Sequence, residues 1–313
     1  MWTSHDLGPD AKGRFVRRAA KFRGRVTADG QSGYPATAGR YHLYVADACG
    51  WCHRTLLFRQ FKGLQEAVTV SRVVPFMGEH GWTFAAGGDP ILAKEKLHEV
   101  YTAHDPGYTG RVTVPVLWDR ETATIVTNES MDITRDFDRA FAGFPGVNPT
   151  QLFDPERAAE IDRMIELNYH AVNNGVYRAG FAGSQAAYDE AIEQLFGRLE
   201  QLEVHLARRR YLLGDNPTAA DLYLLPTLLR FDSIYYIHFK CCVKQLRDFP
   251  NLWGYTRDLY QAVGASNTYN VAATRSHYFA SHESIHPRRI VPKGPDIDFD
   301  APHTRAELGG GCS

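Results

Sequence analysis

A Cys-X-X-Cys motif between a strand-like segment and a helix-like segment constrains the fold of this chain most. Tyr41–Ala46 is rich in β-branched and aromatic side chains, which is typical of a strand. Cys49-Gly50-Trp51-Cys52 follows at once, and Arg54–Lys62 continues with the apolar spacing of a helix. Val68–Val74 predicts a second strand. We therefore expect a βαβ unit whose crossover helix begins at the cysteines.

This position gives the first cysteine a chemical role. Free N–H groups and the helix dipole at a helix N-terminus stabilise a thiolate and lower the pKa of a cysteine, and the thiolate is the nucleophile. Cys49 is therefore the candidate nucleophile, and Cys52, one turn into the helix, is a candidate resolving thiol. Two structural interpretations compete, namely buried filler thiols and a zinc site. Zinc needs four ligands, and the other cysteine pair, Cys241-Cys242, is adjacent rather than spaced.

A third predicted strand contains a proline. Arg111–Trp118 has strand composition, but Pro115 cannot donate to a ladder, so the strand lies at a sheet edge or the Val114-Pro115 bond is cis. Thr124–Thr127 is expected to pair beside it. Asn128-Glu129-Ser130 then opens a helix that runs to about Phe137. Such a helix start offers N–H groups, a hydroxyl and a carboxylate, which suit an α-amino-acid head group as well as an ordinary helix cap.

The pattern changes to helical after the Gly- and Pro-rich linker Ala142–Pro149. Apolar residues from Tyr188 to Leu206 recur in steps of 3 and 4, which predicts an amphipathic helix. Thr218 and Asp221 form a capping-box pattern that predicts the start of the next helix. After about residue 265 the sequence predicts irregular structure to the end. The length of 313 residues agrees with two domains.

Composition excludes several functional classes. Lys and Arg total 35 against 36 Asp and Glu, so we expect no general nucleic-acid binding. The longest apolar stretch, Leu222–Phe231, is interrupted by Pro226 and Arg230, so we expect no membrane span. Five cysteines in a chain of this length do not suggest a secreted disulfide framework, which favours a cytoplasmic protein. No glycine-rich nucleotide motif and no metal-ligand spacing is present.

Several blocks of sequence carry a resemblance to a known family. They are Cys49–Arg54, Met77–Phe84, Tyr108–Asp119, Asn128–Ser130, Asn173–Ala182 and Ile290–Pro295. In this order, over roughly residues 40–295, they resemble the glutathionyl-hydroquinone reductases, which are the Xi class of glutathione transferases.

The resemblance implies an architecture and an assembly. It implies an α/β, thioredoxin-like N-terminal domain followed by an all-helical glutathione-transferase C-terminal domain, in a homodimer. We place an N-terminal extension at residues 1–40, the thioredoxin-like domain at 41–145 and the helical domain at 150–265. Residues 266–313 are expected to form an extension that contributes to the substrate site.

The resemblance also implies site residues. The family's nucleophile falls on Cys49, and its aromatic-substrate tyrosines fall on Tyr177 and Tyr278. Its contacts to the thiol cosubstrate, glutathione or another low-molecular-weight thiol, fall on Trp82, Arg111, Val114, Glu129 and Ser130. In that mode the Val114 backbone pairs with the cysteinyl part beside the proline.

The implied reaction is reductive removal of the thiol from an S-conjugated hydroquinone, through a mixed disulfide on the nucleophile and without metal or nucleotide. The family's usual Cys-Pro-Trp-Ala is Cys-Gly-Trp-Cys here. Gly50 removes a ring that pre-sets the backbone, and Cys52 allows a disulfide with Cys49. Three alternatives stay open: a glutaredoxin-like dithiol–disulfide oxidoreductase, a non-catalytic binding protein of the same fold, and simple thiol conjugation.

Overall fold

The computed structural model describes residues 2–3 and 9–309. These residues divide into two compact units. Unit 1 is drawn from Met1–Leu7, Arg18–Thr150 and Asn267–Val291, and unit 2 from Gly8–Arg17, Gln151–Ser266 and Pro292–Ser313. Cys312 and parts of the predicted N-terminal extension lie outside the described residues.

The elements follow one another along the chain from strand-rich to helical. The strands are β1 (Trp2–Thr3), β2 (Tyr41–Val45), β3 (Val68–Arg72), β4 (Gly110–Arg111), β5 (Val116–Asp119) and β6 (Thr124–Thr127). The helices are α1 (Gly50–Lys62), α2 (Leu97–His104), α3 (Ser130–Arg139), α4 (Ala158–Asn168), α5 (Gly175–Gly180), α6 (Gln185–Leu206), α7 (Ala219–Arg230), α8 (Tyr236–His238), α9 (Pro250–Ala262) and α10 (Val271–Ser281).

Unit 1 is built on a four-stranded sheet with the order β3-β2-β5-β6. β2 is parallel to β3, antiparallel to β5, and buried along its whole length. This burial agrees with a central strand that is covered on both faces. α1 connects β2 to β3, which confirms the predicted βαβ unit with its helix at the cysteines. α1 and α3 pack against each other, and α2 contacts β6.

The prediction of one continuous strand over residues 111–118 is wrong, because two separate strands lie in this region. β4 ends at Arg111 and pairs with β1, whereas β5 begins at Val116. Between them the Val114-Pro115 bond is cis, which is one of the two arrangements expected for this proline. β5 lies inside the sheet between β2 and β6 rather than at an edge. Because Pro115 precedes β5, its missing N–H interrupts no ladder bond.

The prediction of irregular structure after residue 265 is also wrong in part. Residues 271–281 form α10, whose N-cap Asn270 accepts a hydrogen bond from the N–H of Ala273. Asn270–Ser281 belongs to unit 1, whereas the chain from Pro292 onward belongs to unit 2. The proposed C-terminal extension is therefore divided between the two units.

Unit 2 is helical, as predicted. The amphipathic helix is α6, which begins after the N-cap Ser184 and ends at Leu206. The capping box is confirmed at α7, where the N–H of Thr218 donates to Asp221 at 2.8 Å and its hydroxyl donates at 2.9 Å. In the described part of the chain, no helix is long and apolar enough to cross a membrane.

Candidate active site

Cys49 is the N-cap residue of α1 and is half-buried. Its backbone is extended, with φ −77° and ψ 120°, and its carbonyl accepts the first helical bond from the N–H of His53 at 2.9 Å. The sulfur therefore lies at the positive end of the helix dipole, where an anion is stabilised. This geometry agrees with the environment expected for a nucleophilic thiolate.

Cys52 lies in the first turn of α1 and is fully buried. Its sulfur accepts a hydrogen bond from the N–H of Ala46 at 3.4 Å. Burial raises the pKa of the Cys52 thiol well above its usual range, and a side-chain hydrogen bond to Cys49 raises it further. The two neighbouring cysteines therefore differ in solvent exposure. Cys52 is held as a thiol, and Cys49 is the one with solvent access.

The loop that carries the cis proline lies beside the first cysteine. The Cys49 sulfur is 3.9 Å from the carbonyl oxygen of Val114, close enough for a weak S–H···O hydrogen bond. Val114 is buried, and the ladder that joins β5 to its neighbours begins two residues later. The peptide groups of residues 113–115 are therefore not used by the sheet.

Glu129 and Ser130 form the start of α3. Glu129 is the N-cap, and its carboxylate accepts hydrogen bonds from the Met131 N–H at 3.1 Å and the Ser130 hydroxyl at 3.4 Å. The structure therefore shows the ordinary helix cap that was one of the two interpretations. The free N–H groups of the first turn remain suited to a carboxylate ligand.

The N-termini of α1 and α3 point to the same end of unit 1. α1 runs opposite to β2, and α3 runs opposite to β6, which is parallel to β2 because each is antiparallel to β5. At the other end, the Lys62 ammonium and the Asp138 carboxylate form a buried ion pair at 3.2 Å. The fold therefore brings Cys49 and the Glu129–Ser130 helix start to one end, where both helix dipoles favour anions.

Trp82 is nearly buried and stacks on His277 of α10, with ring centroids 4.8 Å apart and an interplanar angle of 23°. The Nδ1 of His277 lies 2.9 Å from the carbonyl oxygen of Pro75. Burial lowers the pKa of His277 to about 4, so the ring is neutral at pH 7. Because a carbonyl oxygen only accepts, we assign the proton of the neutral ring to Nδ1. The histidine thereby fixes one face of the Trp82 ring.

Arg111 lies in β4, and one of its guanidinium nitrogens donates to the carbonyl oxygen of Arg18 at 2.8 Å. The Tyr108 hydroxyl in turn donates to the Arg111 carbonyl at 2.6 Å. Arg18 belongs to the predicted N-terminal extension, so this segment contacts Arg111, one of the predicted site residues.

The two predicted tyrosines belong to different units. Tyr278 lies on α10 in unit 1, is 2% exposed, and contacts the rings of His277 and His282. Tyr177 lies on α5 in unit 2, where it packs against Phe239 at 5.3 Å and lies under the Arg17 guanidinium at 4.8 Å.

Sequence reasoning did not assign a role to Tyr101 or to Asn128. Tyr101 is completely buried, and its hydroxyl bonds the backbone of Thr113, next to Val114. Asn128 precedes Glu129 and bonds the same hydroxyl. The Asn-Glu-Ser block could have indicated Asn128, whereas no sequence signal connects Tyr101 to residue 113.

Among the residues that the structure describes, no group of three or more His, Cys, Asp or Glu is arranged to hold a metal ion. The chemistry available at this end of unit 1 is that of a cysteine sulfur, backbone peptide groups and a helix start.

The sheet of unit 1 begins with a βαβ unit, a cysteine caps its crossover helix, and unit 2 is helical. Together these features are typical of the glutathione S-transferase class. Two family models match the chain accordingly. The glutathione S-transferase N-terminal domain matches residues 48–140, and the C-terminal domain matches residues 185–258.

The chain is similar throughout to named proteins. It is 46% identical to the glutathionyl-hydroquinone reductase YqjG of Escherichia coli, over 96% of each chain. It is also 46% identical to the glutathionyl-hydroquinone reductase PcpF of Sphingobium chlorophenolicum, over 90% of each. A glutathione-bound structure of YqjG superimposes with a TM-score of 0.88 over 91% of this chain and 96% of the other.

A Xi-class glutathione transferase from Natrialba magadii gives the same TM-score of 0.88 at 46% identity, over 91% of this chain and 89% of the other. The chain belongs to the Xi-class, glutathionyl-hydroquinone reductase family of glutathione S-transferases.

Proposed function

We propose that this protein is a thiol-dependent reductase that removes glutathione from S-conjugated hydroquinones. The observation that carries the proposal is the half-buried Cys49 at the N-terminus of α1, with its sulfur 3.9 Å from the Val114 carbonyl. Relatives of the same length and 46% identity that are named glutathionyl-hydroquinone reductases support it.

In the first step, the Cys49 thiolate attacks the sulfur of the conjugate. A new S–S bond forms, and the bond between that sulfur and the ring carbon breaks. The electron pair of the broken bond goes to the ring carbon, which takes up one proton. The products are the free hydroquinone and a mixed disulfide on Cys49, so the aromatic carbon is reduced and the two sulfurs are oxidised.

In the second step, a free thiol attacks the mixed disulfide. Its thiolate bonds to the sulfur of the glutathionyl group, and Cys49 leaves as a thiolate, ready for the next cycle. The helix N-terminus assists this step as well, because it stabilises the leaving thiolate.

The remaining site residues bind the thiol. We assign the Val114 backbone to the cysteinyl part and Glu129 and Ser130 to the γ-glutamyl head group. A carboxylate beside the first turn of α3 would meet free N–H groups, and an ammonium would meet the Glu129 carboxylate. Trp82 and Arg111 complete this set. The glutathione-bound YqjG structure supports glutathione as the thiol.

Tyr177 and Tyr278 are proposed to act on the aromatic part. A phenolic hydroxyl can hydrogen-bond the hydroquinone oxygen and deliver the proton that the ring carbon needs. We also propose that the protein works as a cytoplasmic homodimer, with a thioredoxin-like domain over residues 41–145 and a helical domain over 150–265. Light scattering after gel filtration tests the dimer, since a monomer mass would contradict it.

A second candidate function is dithiol–disulfide exchange through Cys49 and Cys52. The side-chain hydrogen bond between the two thiols favours it, because a resolving thiol must lie next to the mixed disulfide. The monothiol route has the stronger physical argument. Attack requires a thiolate, and the burial of Cys52 disfavours its ionised form.

The experiment that tests the proposal offers an S-glutathionyl hydroquinone to the protein with glutathione in excess, and measures free hydroquinone by chromatography. We expect turnover by the wild type and none by Cys49→Ser. The Cys241→Ser variant is the matched control, because Cys241 is buried in unit 2 and should leave the rate unchanged. If the wild type releases no hydroquinone, or Cys49→Ser keeps the wild-type rate, the proposal fails.

A further inference from the structure

A buried polar network lies behind the cis-proline loop. Its centre is the hydroxyl of Tyr101 on α2, a side chain with no solvent exposure. This hydroxyl donates to the carbonyl oxygen of Thr113 at 2.7 Å and accepts from the Thr113 N–H at 3.2 Å. One phenol thus satisfies both backbone groups of a residue that lies in the gap between β4 and β5.

The same hydroxyl accepts a third hydrogen bond, from the side-chain amide of Asn128 at 3.2 Å. One donated and two accepted bonds use the full hydrogen-bonding capacity of a hydroxyl. Burial raises the pKa of Tyr101, so the phenol keeps the proton that it donates. The hydroxyl at the centre of the network is therefore completely satisfied.

Asn128 connects the network to the start of α3. Its amide nitrogen also donates to the Thr113 hydroxyl at 3.2 Å, and its amide oxygen accepts from the Phe22 N–H at 3.1 Å. Asn128 is 8% exposed and directly precedes Glu129. Its backbone is fixed as well, because its N–H donates to the Phe22 carbonyl at 3.3 Å.

We propose that Tyr101 and Asn128 are positioning residues that hold the Val114 loop and the Glu129–Ser130 helix start in fixed relation, so that one thiol can contact both. The inference rests on the proposed function, which assigns the thiol to these two segments. Neither side chain needs to touch the thiol. Their role follows from position, since Thr113 precedes Val114 and Asn128 precedes Glu129.

The physical reason lies in the broken strand. Residues 113–115 lie between β4 and β5 and outside both ladders, so no ladder bond fixes the peptide group of Val114 beside Cys49. The Tyr101 phenol supplies the missing donor and acceptor from α2. Without the Tyr101 hydroxyl, the Val114 loop and the Glu129–Ser130 helix start would move independently. Ordering them on binding would then lower the affinity for the thiol.

The test compares Tyr101→Phe with Tyr41→Phe. Tyr41 is also fully buried in unit 1, and its hydroxyl donates to the Pro35 carbonyl at 2.8 Å, so this control loses a comparable bond elsewhere. The first readout is amide hydrogen exchange. We expect faster exchange in residues 112–116 and 128–131 together in Tyr101→Phe, and in neither segment in the control.

The second readout is turnover of an S-glutathionyl hydroquinone. We expect Tyr101→Phe to raise the KM for glutathione about five- to tenfold, as the loss of buried hydrogen bonds would, with kcat changed less than about twofold. Thr113→Val removes the hydroxyl that lies 3.2 Å from the Asn128 amide and 3.4 Å from the Tyr101 hydroxyl, but it keeps the bonds of Tyr101 to the Thr113 backbone. It should therefore shift both readouts in the same direction and less. It replaces Tyr101→Phe if that variant does not fold.

Exchange that rises in one segment alone, or in the control to the same extent, would overturn the inference. A wild-type KM in an active Tyr101→Phe variant would overturn it too. The proposed function fails separately, if the wild type releases no hydroquinone. The exchange comparison then still decides whether the network couples the two segments.

Discussion

The buried ion pair between Lys62 and Asp138 lies at the end of unit 1 opposite Cys49 and offers a quantitative test of how α1 and α3 are held together. Both side chains have no solvent exposure, and the ammonium lies 3.2 Å from the carboxylate. Lys62 ends α1, and Asp138 lies in the last turn of α3, so the pair holds the two helices parallel. The Lys62 ammonium also donates to the Thr150 carbonyl at 2.8 Å.

The magnitude follows from the geometry. At 3.2 Å and an effective dielectric constant of ~20, the attraction is about 5 kcal/mol, which offsets a desolvation cost of several kcal/mol. The intact pair therefore contributes little net stability. Asp138→Ala leaves the Lys62 charge buried without its carboxylate, which we expect to cost about 3–5 kcal/mol and to lower Tm by roughly 5–8 °C in a chain of 313 residues.

The assay is thermal unfolding of a double-mutant cycle at pH 7. The double variant Lys62→Met/Asp138→Ala removes both charges and should be more stable than Asp138→Ala alone. The control is Glu283→Ala, because Glu283 is 65% exposed in its pair with Arg289 and should change stability by less than about 1 kcal/mol. A Tm of Asp138→Ala within ~1 °C of wild type, or strictly additive effects in the cycle, would show that the two buried charges do not depend on each other.

Two further predictions concern His277 and Cys52. The pKa of His277 is lowered from 6.5 to about 4 by burial, so its neutral form stabilises the fold fully above pH 6.5, and this contribution of roughly 3 kcal/mol is lost as the pH falls toward 4. His277→Gln should flatten the decline of Tm over that range, whereas the exposed His80→Gln should not; equal slopes would contradict the assignment. Cys52→Ala should keep at least about a third of wild-type turnover with glutathione, because a monothiol cycle does not use Cys52. Loss of turnover would favour the dithiol route.

The sequence predicts the parts of the fold that depend on local patterns. The motif at Cys49 marks the start of α1 because a strand pattern precedes it and a helix pattern follows. Thr218 and Asp221 mark the start of α7 by the same kind of local signal. The resemblance adds the order of the two domains, which the family models at residues 48–140 and 185–258 bear out.

The sequence does not predict features that depend on contacts between distant segments. Arg111–Trp118 has continuous strand composition, yet the strand is interrupted at residues 113–115, where the Val114-Pro115 bond is cis and the Tyr101 hydroxyl bonds the Thr113 backbone. α10 was missed because its apolar positions follow no clear helical period. The different burial of Cys49 and Cys52, which separates their chemistry, is set by packing around α1 and not by the motif.

In the proposed reaction, Cys49 takes the glutathionyl group from the conjugate. The most direct measurement is a single turnover without free thiol, in the Cys52→Ala background, followed by intact-protein and peptide mass spectrometry. We expect one hydroquinone released for each chain and one glutathionyl group in disulfide linkage on Cys49. Release of hydroquinone with no adduct on Cys49, or an adduct on another residue, would contradict it.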